Sequence, residues 1–380
     1  MHIVVLGGGR VGATMARDLA AEEGFDVTLV DASQGALDPF SDGPVGTLRA
    51  DLSQRRDLAR AVSGADLVVG AVPGPMGFDT VRAVIEEGRS IVDISFFEED
   101  AFELDGLARE RGVTVLVDCG VAPGASNLIL GHMEAELART DRFACYVGGL
   151  PRERVWPWEY KAPFSPIDVI AEYTRPARLR EHGRTVVRPA LSRPERLDFD
   201  GVGSLEAFET DGLRTLLQTS EVPELVEKTL RYPGHRDRVE ALSAAGFFSE
   251  EPVVLRDGTS VRPLDLTAHL LFSQWRLRDE DDELTVMRVE VDGVASEGDA
   301  IVRHTFDMLD RRDPETGASS MARTTGFTCT AMARLVARGL YREPGVSPPE
   351  VVGRNRECFD RVFADLEARG VLFRRSQRSL

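Results

Sequence analysis

The first thirty-one residues constrain the fold more than any other part of this chain. Ile3 to Leu6 is a short apolar run of the kind found in strands buried on both faces. Gly7, Gly9 and Gly12 follow at G-x-G-x-x-G spacing. The first glycine permits a tight turn, the second lets the backbone approach a pyrophosphate, and the third lets helix pack closely on strand. The pattern predicts a helix from Val11 to Glu23, whose free N–H groups amount to about half a positive charge aimed at that pyrophosphate. Val27 to Val30 reads as the next strand. Asp31 closes it about twenty residues on, where a ribose 2′-hydroxyl is gripped. In this register the elements predict dinucleotide binding.

Asp31 also bears on the choice of cofactor. A 2′-phosphate beside it would meet like charge, and Ala32, Ser33 and Gln34, which follow, offer no arginine to receive one. NAD is expected over NADP. The α/β pattern then continues through strands at Val45–Arg49, Asp66–Ala71, Ser90–Ile94 and Val113–Val117, with helices between them. This rhythm predicts a doubly wound parallel sheet, whose ligands sit at the carboxyl ends of its strands. Arg10 and Val11 in the glycine turn, Asp51 after the third strand, and Val72 and Pro73 after the fourth join Gly7, Gly9, Gly12 and Asp31 as the expected cofactor-binding set.

After Pro123 the grammar changes. One helix is expected over Ser126–Thr140. Strand-like stretches without crossover helices follow at Arg142–Val147, Thr185–Val187, Leu205–Thr210, Leu225–Tyr232, Leu284–Val291 and Ala300–Leu309. They predict an antiparallel or mixed sheet, an α+β domain. Helices are expected at His235–Ala245 and Leu264–Trp275. From Thr324 the chain reads as helical to its end, over Gly326–Gly339 and Pro349–Arg369, and those helices could return to the first domain. The expected divisions are residues 1–122, 123–323 and 324–380.

The length of 380 residues suits two domains, each able to bury a core. A net charge of −17 argues against nucleic-acid binding, which needs a basic face. No apolar run approaches the ~20 residues that span a bilayer. The N-terminus enters a strand directly, without a signal-peptide pattern, so a cytoplasmic protein is expected. Cys119, Cys145, Cys329 and Cys358 show no paired spacing, and neither a disulfide nor a metal site is expected. The acidic run Asp279–Glu283 reads as a solvated turn. Lys161 and Lys228 are the only lysines, arginine supplying the other positive side chains.

The stretch Asp118 to Asn127, DCGVAPGASN, resembles the saccharopine dehydrogenase family, in the group that holds saccharopine reductase and lysine 6-dehydrogenase. Further matches follow at Gly148–Pro151, Tyr160–Lys161, Glu172–Ala177, Leu205–Phe208 and Thr229–His235. The resemblance implies a Rossmann domain, an α+β substrate and dimerisation domain, a C-terminal return and a homodimer. It implies oxidation of a carbon bearing nitrogen in a lysine-like amino acid, with hydride passed to nicotinamide. Cys119 stands where the family usually has alanine. The stretch Asp211–Glu224 lacks the Ser/Gly-rich turn expected of the lysine enzyme.

Such chemistry needs a group to take the amine proton and a charge to face the iminium. Asp118, at a strand end on the ligand edge, is the first candidate, its alternative being a cap on the Gly120 turn. Glu172 is the second, read as a strand or loop glutamate that could instead pair with Arg175 or Arg178. Lys161 follows as a base or carboxylate partner, with a plain surface lysine as the alternative. Arg231 is the candidate carboxylate clamp, with Tyr160 and Ser95 as further substrate contacts. Trp156, Trp158 and Phe164 are expected around the pocket or a dimer surface, and His132 and His235 behind it. Reductive condensation, as in saccharopine or carboxynorspermidine synthesis, remains open, as does a non-catalytic dinucleotide sensor.

Overall fold

The structure is a computed structural model that describes residues 1–162 and 166–380. Phe164, expected near the pocket, lies outside the described residues. Six strands open the chain: β1 (His2–Leu6), β2 (Asp26–Asp31), β3 (Val45–Arg49), β4 (Leu67–Gly70), β5 (Ile91–Asp93) and β6 (Thr114–Leu116). All pair in parallel in the order β6-β5-β4-β1-β2-β3, the strand order reversing at β1 and β4. Apolar side chains fill both faces. Ile3, Val5, Leu67 and Val69 point to one core and Val4, Leu6 and Val68 to the other, all of them fully buried. That is why these strands read as continuous apolar runs.

The second sheet is mixed. Its strands are β7 (Arg139–Pro151), β8 (Ala177–Glu181), β9 (Arg184–Arg188), β10 (Glu195–Phe199), β11 (Gly203–Glu209) and β12 (Glu224–Arg231). A separate hairpin, β13 (Val253–Val254) with β14 (Ser260–Val261), precedes β15 (Glu283–Val294) and β16 (Ile301–Arg311). The order runs β10-β11-β12-β7-β15-β16, β7 and β12 being parallel and the other pairs antiparallel. Strands β8, β10, β13 and β14 were not anticipated. The helix expected over Ser126–Thr140 ends at Glu136, where β7 takes over.

The C-terminal return carries the expected helices, Ser320–Ala337 and, beyond a short one at Pro349–Gly353, Arg356–Ala368. It also carries two strands that the expectation of helix to the end lacked. β17 (Gly345–Ser347) adds to β6 at the edge of the first sheet, and β18 (Phe373–Ser379) adds to β16 at the edge of the second. β17 was hidden because it is only three residues long. β18 was hidden because FRRSQRS is mostly exposed and polar, with no alternation to read. The helix Ser320–Ala337 lies along Arg10–Ala20. Its Arg334, 1% exposed, donates from Nε to Glu22 at 2.6 Å and from an Nη to Asp18 at 2.9 Å.

Two local expectations are corrected. Glu172 is on a helix, Pro166–Thr174, in which Val169, Ile170 and Tyr173 are buried at helical spacing. Glu283 is not part of a solvated turn; it is 2% exposed in β15 and accepts the Ser320 N–H at the start of a helix.

Candidate active site

The glycine turn has the cradle geometry that the spacing predicted. Gly7 sits at φ +100°, and a Cβ there would stand 2.4 Å from the Ala71 carbonyl oxygen at the β4 end. A Cβ on Gly12 would stand 1.9 Å from the Gly7 oxygen, so helix and turn touch. At Gly9, by contrast, a Cβ would meet nothing within 4 Å. That opening, at the N-terminus of an eleven-residue helix, fits a pyrophosphate. Asp31 accepts the Gly8 N–H at 2.7 Å and the Ser33 N–H at 2.7 Å, which fixes its carboxylate at the end of β2. Arg49 is its register partner on β3 and donates from Nε to the Ala32 carbonyl at 3.1 Å. Val72 and Pro73 adjoin the turn, Pro73 capping the helix Gly74–Glu86. Asp51, exposed beyond β3, accepts from the Ser53 N–H and hydroxyl, which hold its carboxyl below the usual range. Arg10 donates to Leu277 O at 2.8 Å and to Asp279 at 3.0 Å.

The second domain closes over this carboxyl edge. The helix Pro166–Thr174 lies against the β4 loop, a Cβ on Gly74 being 3.7 Å from Asp168. Just past that helix, Arg175 pairs with Glu98 at 2.5 Å and lies over the Phe96 ring. From the loop after β11, Arg214 reaches the end of β6. Its Nε donates to Asp118 Oδ2 at 2.9 Å and stands 2.8 Å from Oδ1, while an Nη donates to the Phe97 carbonyl. The guanidinium carbon is 4.4 Å from the Phe96 ring centre. Asp118 and Arg214 both sit at positive φ, 56° and 46°, which side chains disfavour and surrounding structure must enforce. Nothing in an arginine-rich sequence singles out Arg214, and it was missed. Beside this pair, burial pushes the Asp93 carboxyl up to about 7 against the pull of the Ser95 N–H and hydroxyl. Ser95 is thereby committed to Asp93, its hydroxyl at 3.0 Å.

A second arginine pair lies on the inner face of β12. Arg231, 3% exposed, donates from Nε to the Tyr173 hydroxyl at 2.8 Å, and from its two terminal nitrogens to Leu230 O at 2.9 Å and to Glu172 at 3.2 Å. Glu172 therefore pairs with Arg231; Arg178 is taken by Asp211 at 2.8 Å. Behind Tyr173, His235 places Nε2 3.0 Å from the hydroxyl and Nδ1 2.8 Å from Trp158 O. A carbonyl only accepts, so Nδ1 carries the proton and Nε2 receives the tyrosine hydroxyl. Burial, and Arg231 next, hold this imidazole down to about 3. The relay orients Arg231 through neutral groups. Tyr160 lies beneath the same guanidinium at 4.5 Å, and its buried hydroxyl has no hydrogen-bond partner among the described residues.

Three candidates are placed elsewhere. Lys161 donates from Nζ to Gln274 O at 2.9 Å, at the end of the helix Pro263–Trp275. Trp156 is 78% exposed, whereas Trp158 packs edge-on against Trp275 and donates to Gln274. His132 is buried against Phe359, beside Glu136 at 3.2 Å. A cavity of about 420 Å³ at Arg142, Tyr146, Glu195 and Lys228 lies on the opposite face of β12 from Arg231. Among the described residues no acid, histidine or cysteine cluster could hold a metal, and no helix is long and apolar enough to cross a membrane.

Residues 3–116 match the family model of the saccharopine dehydrogenase NADP binding domain, and residues 120–371 that of the saccharopine dehydrogenase C-terminal domain. The chain belongs to the saccharopine dehydrogenase family. Within this family it is 25% identical over 321 residues to the alpha-aminoadipic semialdehyde synthase of Arabidopsis thaliana, across 74% of this chain and 30% of that one. It is 25% identical over 263 residues to the saccharopine dehydrogenase [NADP(+), L-glutamate-forming] of Pyricularia oryzae, across 66% of this chain and 58% of that one. The chain thus spans less than two thirds of the length of both relatives. The apo saccharopine dehydrogenase (L-Glu forming) of Saccharomyces cerevisiae shares the fold, with a TM-score of 0.80 at 18% identity over 99% of both chains.

Proposed function

We propose that this saccharopine dehydrogenase family chain is a nicotinamide-dinucleotide oxidoreductase acting on the CH–NH bond of a lysine-like amino acid. One observation carries the reading: two arginine–carboxylate pairs are available to an amino acid, Arg214–Asp118 just past β6 and Arg231–Glu172, its carboxylate on the helix whose Asp168 stands against the β4 loop. Bound dinucleotide supplies hydride exchange. The chain must hold the amino acid, take a proton from its nitrogen and face the positive charge that develops there. An ε-amine, with a pKa of about 10.4, arrives protonated at neutral pH. Glu172, with its side chain 23% exposed, is the accessible carboxylate and the proposed base; Asp118, 1% exposed and locked to Arg214, is the proposed counter-charge. Each terminal nitrogen of Arg231 donates once and keeps an N–H for a substrate carboxylate. The free Tyr160 hydroxyl stands beside it.

NAD is the proposed cofactor, on the ground that the Asp31 carboxylate is fixed at the end of β2, where sheets of this kind grip a ribose hydroxyl. Arg49, opposite it, is the residue through which NADP could be accepted, and both the family description and the Pyricularia relative's name refer to NADP. Arg214 favours a second reading of the substrate. A second buried arginine suits an amino acid with more than one carboxylate, such as saccharopine, the substrate in the names of two relatives.

The test is NADH and NADPH formation with lysine, saccharopine and carboxynorspermidine. Turnover of lysine alone supports oxidative deamination, and turnover of saccharopine supports the second reading. Tight dinucleotide binding with no turnover of any of them would replace the enzyme by a sensor.

A further inference from the structure

Glu227, Thr229 and Arg231 alternate along β12 and so share its inner face. Thr210, just past β11, stands between the first two: its Oγ1 is 2.7 Å from Glu227 Oε2 and 2.9 Å from Thr229 Oγ1. Thr229 Oγ1 is in turn hydrogen-bonded to Glu172 Oε1. Three links therefore join two carboxyl groups through two hydroxyls. Glu227, Thr210 and Thr229 are buried, and Glu172 alone opens outward.

Counting hydrogens decides the charge of this chain. Each link needs one hydrogen. The two threonines supply one apiece and an ionised carboxylate supplies none. With both glutamates ionised, one link would set two lone pairs face to face among buried side chains. With one carboxyl proton, all three links are made, and in two equivalent ways. Either Glu227 donates to Thr210, Thr210 to Thr229 and Thr229 to ionised Glu172, or every link runs in reverse from Glu172.

We propose that Glu172 and Glu227 share a single proton through Thr210 and Thr229, making Glu227 a buried store for the proton that Glu172 exchanges with substrate nitrogen. This rests on the reading of Glu172 as the group facing the amine. In the oxidative direction the shared proton rests on Glu227 and Glu172 is ionised; the N–H bond breaks, an O–H bond forms on Glu172, and that proton then leaves through the open side of Glu172. In the reductive direction the three hydrogens shift so that the shared proton reaches Glu172, the O–H bond there breaks as the N–H bond forms, and Glu172 regains a proton from solvent.

The surroundings of Glu227 agree. Across from it lies Glu172, and from the β11 end comes Asp211, neutralised by Arg178. Arg231 is on its own strand, and Cys145 is its register partner on β7. The Gly212 backbone seals the site, a Cβ there falling 2.5 Å from the carboxyl carbon. Burial outweighs the Thr210 hydrogen bond and the Arg231 charge and pushes the carboxyl up to about 8.

Infrared difference spectra of the protein labelled with ¹³C-glutamate, recorded without substrate, test the sharing. The wild type minus Glu227→Gln should show one carboxylic-acid band at neutral pH. The wild type minus Glu172→Gln should show the same band, because in that variant a glutamine amide supplies the missing hydrogen and lets Glu227 ionise. An independently protonated, merely structural Glu227 would keep its band in Glu172→Gln, and absence of a band in the wild type would mean two ionised carboxylates; either result overturns the proposal. Thr229→Ser should show the band in the wild-type background and lack it in the Glu172→Gln background, as Thr229 does. With whichever substrate turns over, Thr229→Val should lower kcat at least tenfold and shift the pH profile, while Thr229→Ser restores both. A kcat for Thr229→Val equal to that of Thr229→Ser would remove the relay. The spectra need no activity, so an inactive protein would refute the reaction and leave the proton count to be judged alone.

Discussion

Replacing Arg214 by alanine removes one side of a pair whose side chains are 7% and 1% exposed. Asp118 is left as a buried carboxylate without its partner, a change that costs about 3–5 kcal/mol. The Phe97 carbonyl also loses its donor, and the Phe96 ring loses the guanidinium above it. Adding Asp118→Asn takes away the stranded charge. What remains is chiefly the unpaired carbonyl and the lost contacts, about 1–3 kcal/mol. The double variant should therefore be more stable than Arg214→Ala by about 2 kcal/mol, although it carries one substitution more. Urea denaturation of the four proteins of the cycle, followed by tryptophan fluorescence and circular dichroism, measures this. Additivity to within ~0.5 kcal/mol would mean that the two side chains are not coupled, and the argument from the buried pair would fail.

The glycine turn predicts a separation of stability from binding. Gly9→Ala, at φ −64° with open space at its Cβ, should melt as the parent does yet bind dinucleotide at least tenfold more weakly, whereas Gly7→Ala should lose stability outright; calorimetry and cofactor titration distinguish them. Asp31→Ala should raise NADP affinity relative to NAD, and Arg49→Ala should lower it; fluorescence titration of both cofactors would contradict the assignment if Asp31→Ala left the ratio unchanged. Glu283 titrates near 4.5 when unfolded and at about 7 when folded, burial outweighing the Ser320 N–H. The folded chain then holds a proton that the unfolded chain has lost, so this contribution to stability is whole below pH 4.5 and is lost as pH rises through 7. Glu283→Gln should flatten the stability profile over that window, and an unchanged slope in denaturation from pH 4.5 to 8 would count against it.

The first sheet was legible because each step of its pattern is local: an apolar run, a glycine turn, a helix, an acid at the strand end. Asp118 was legible for the same reason, since it ends a strand where ligands of such sheets sit. The groups that complete the site lie far from it along the chain. Arg214 meets Asp118 across ninety-six positions, and Thr229 meets Glu172 across fifty-seven. No spacing rule reaches so far. Tyr173 was nearer to hand. Val169, Ile170 and Tyr173 recur at helical spacing, and reading them so would have put Glu172 on a helix, one position before the buried tyrosine that steers Arg231.

The two late strands have a consequence for how this protein comes into being. β6 stays an open edge until β17 is made, and β16 until β18 follows it. The dinucleotide-binding half is made well before Gly345, so its β6 edge stays uncovered until β17 follows. A nascent chain stalled before Gly345 would leave β6 and β16 both without the strands that pair with them. Protease sensitivity of such stalled chains, compared with the full length, would show assembly finishing as a single late event that ties both halves together.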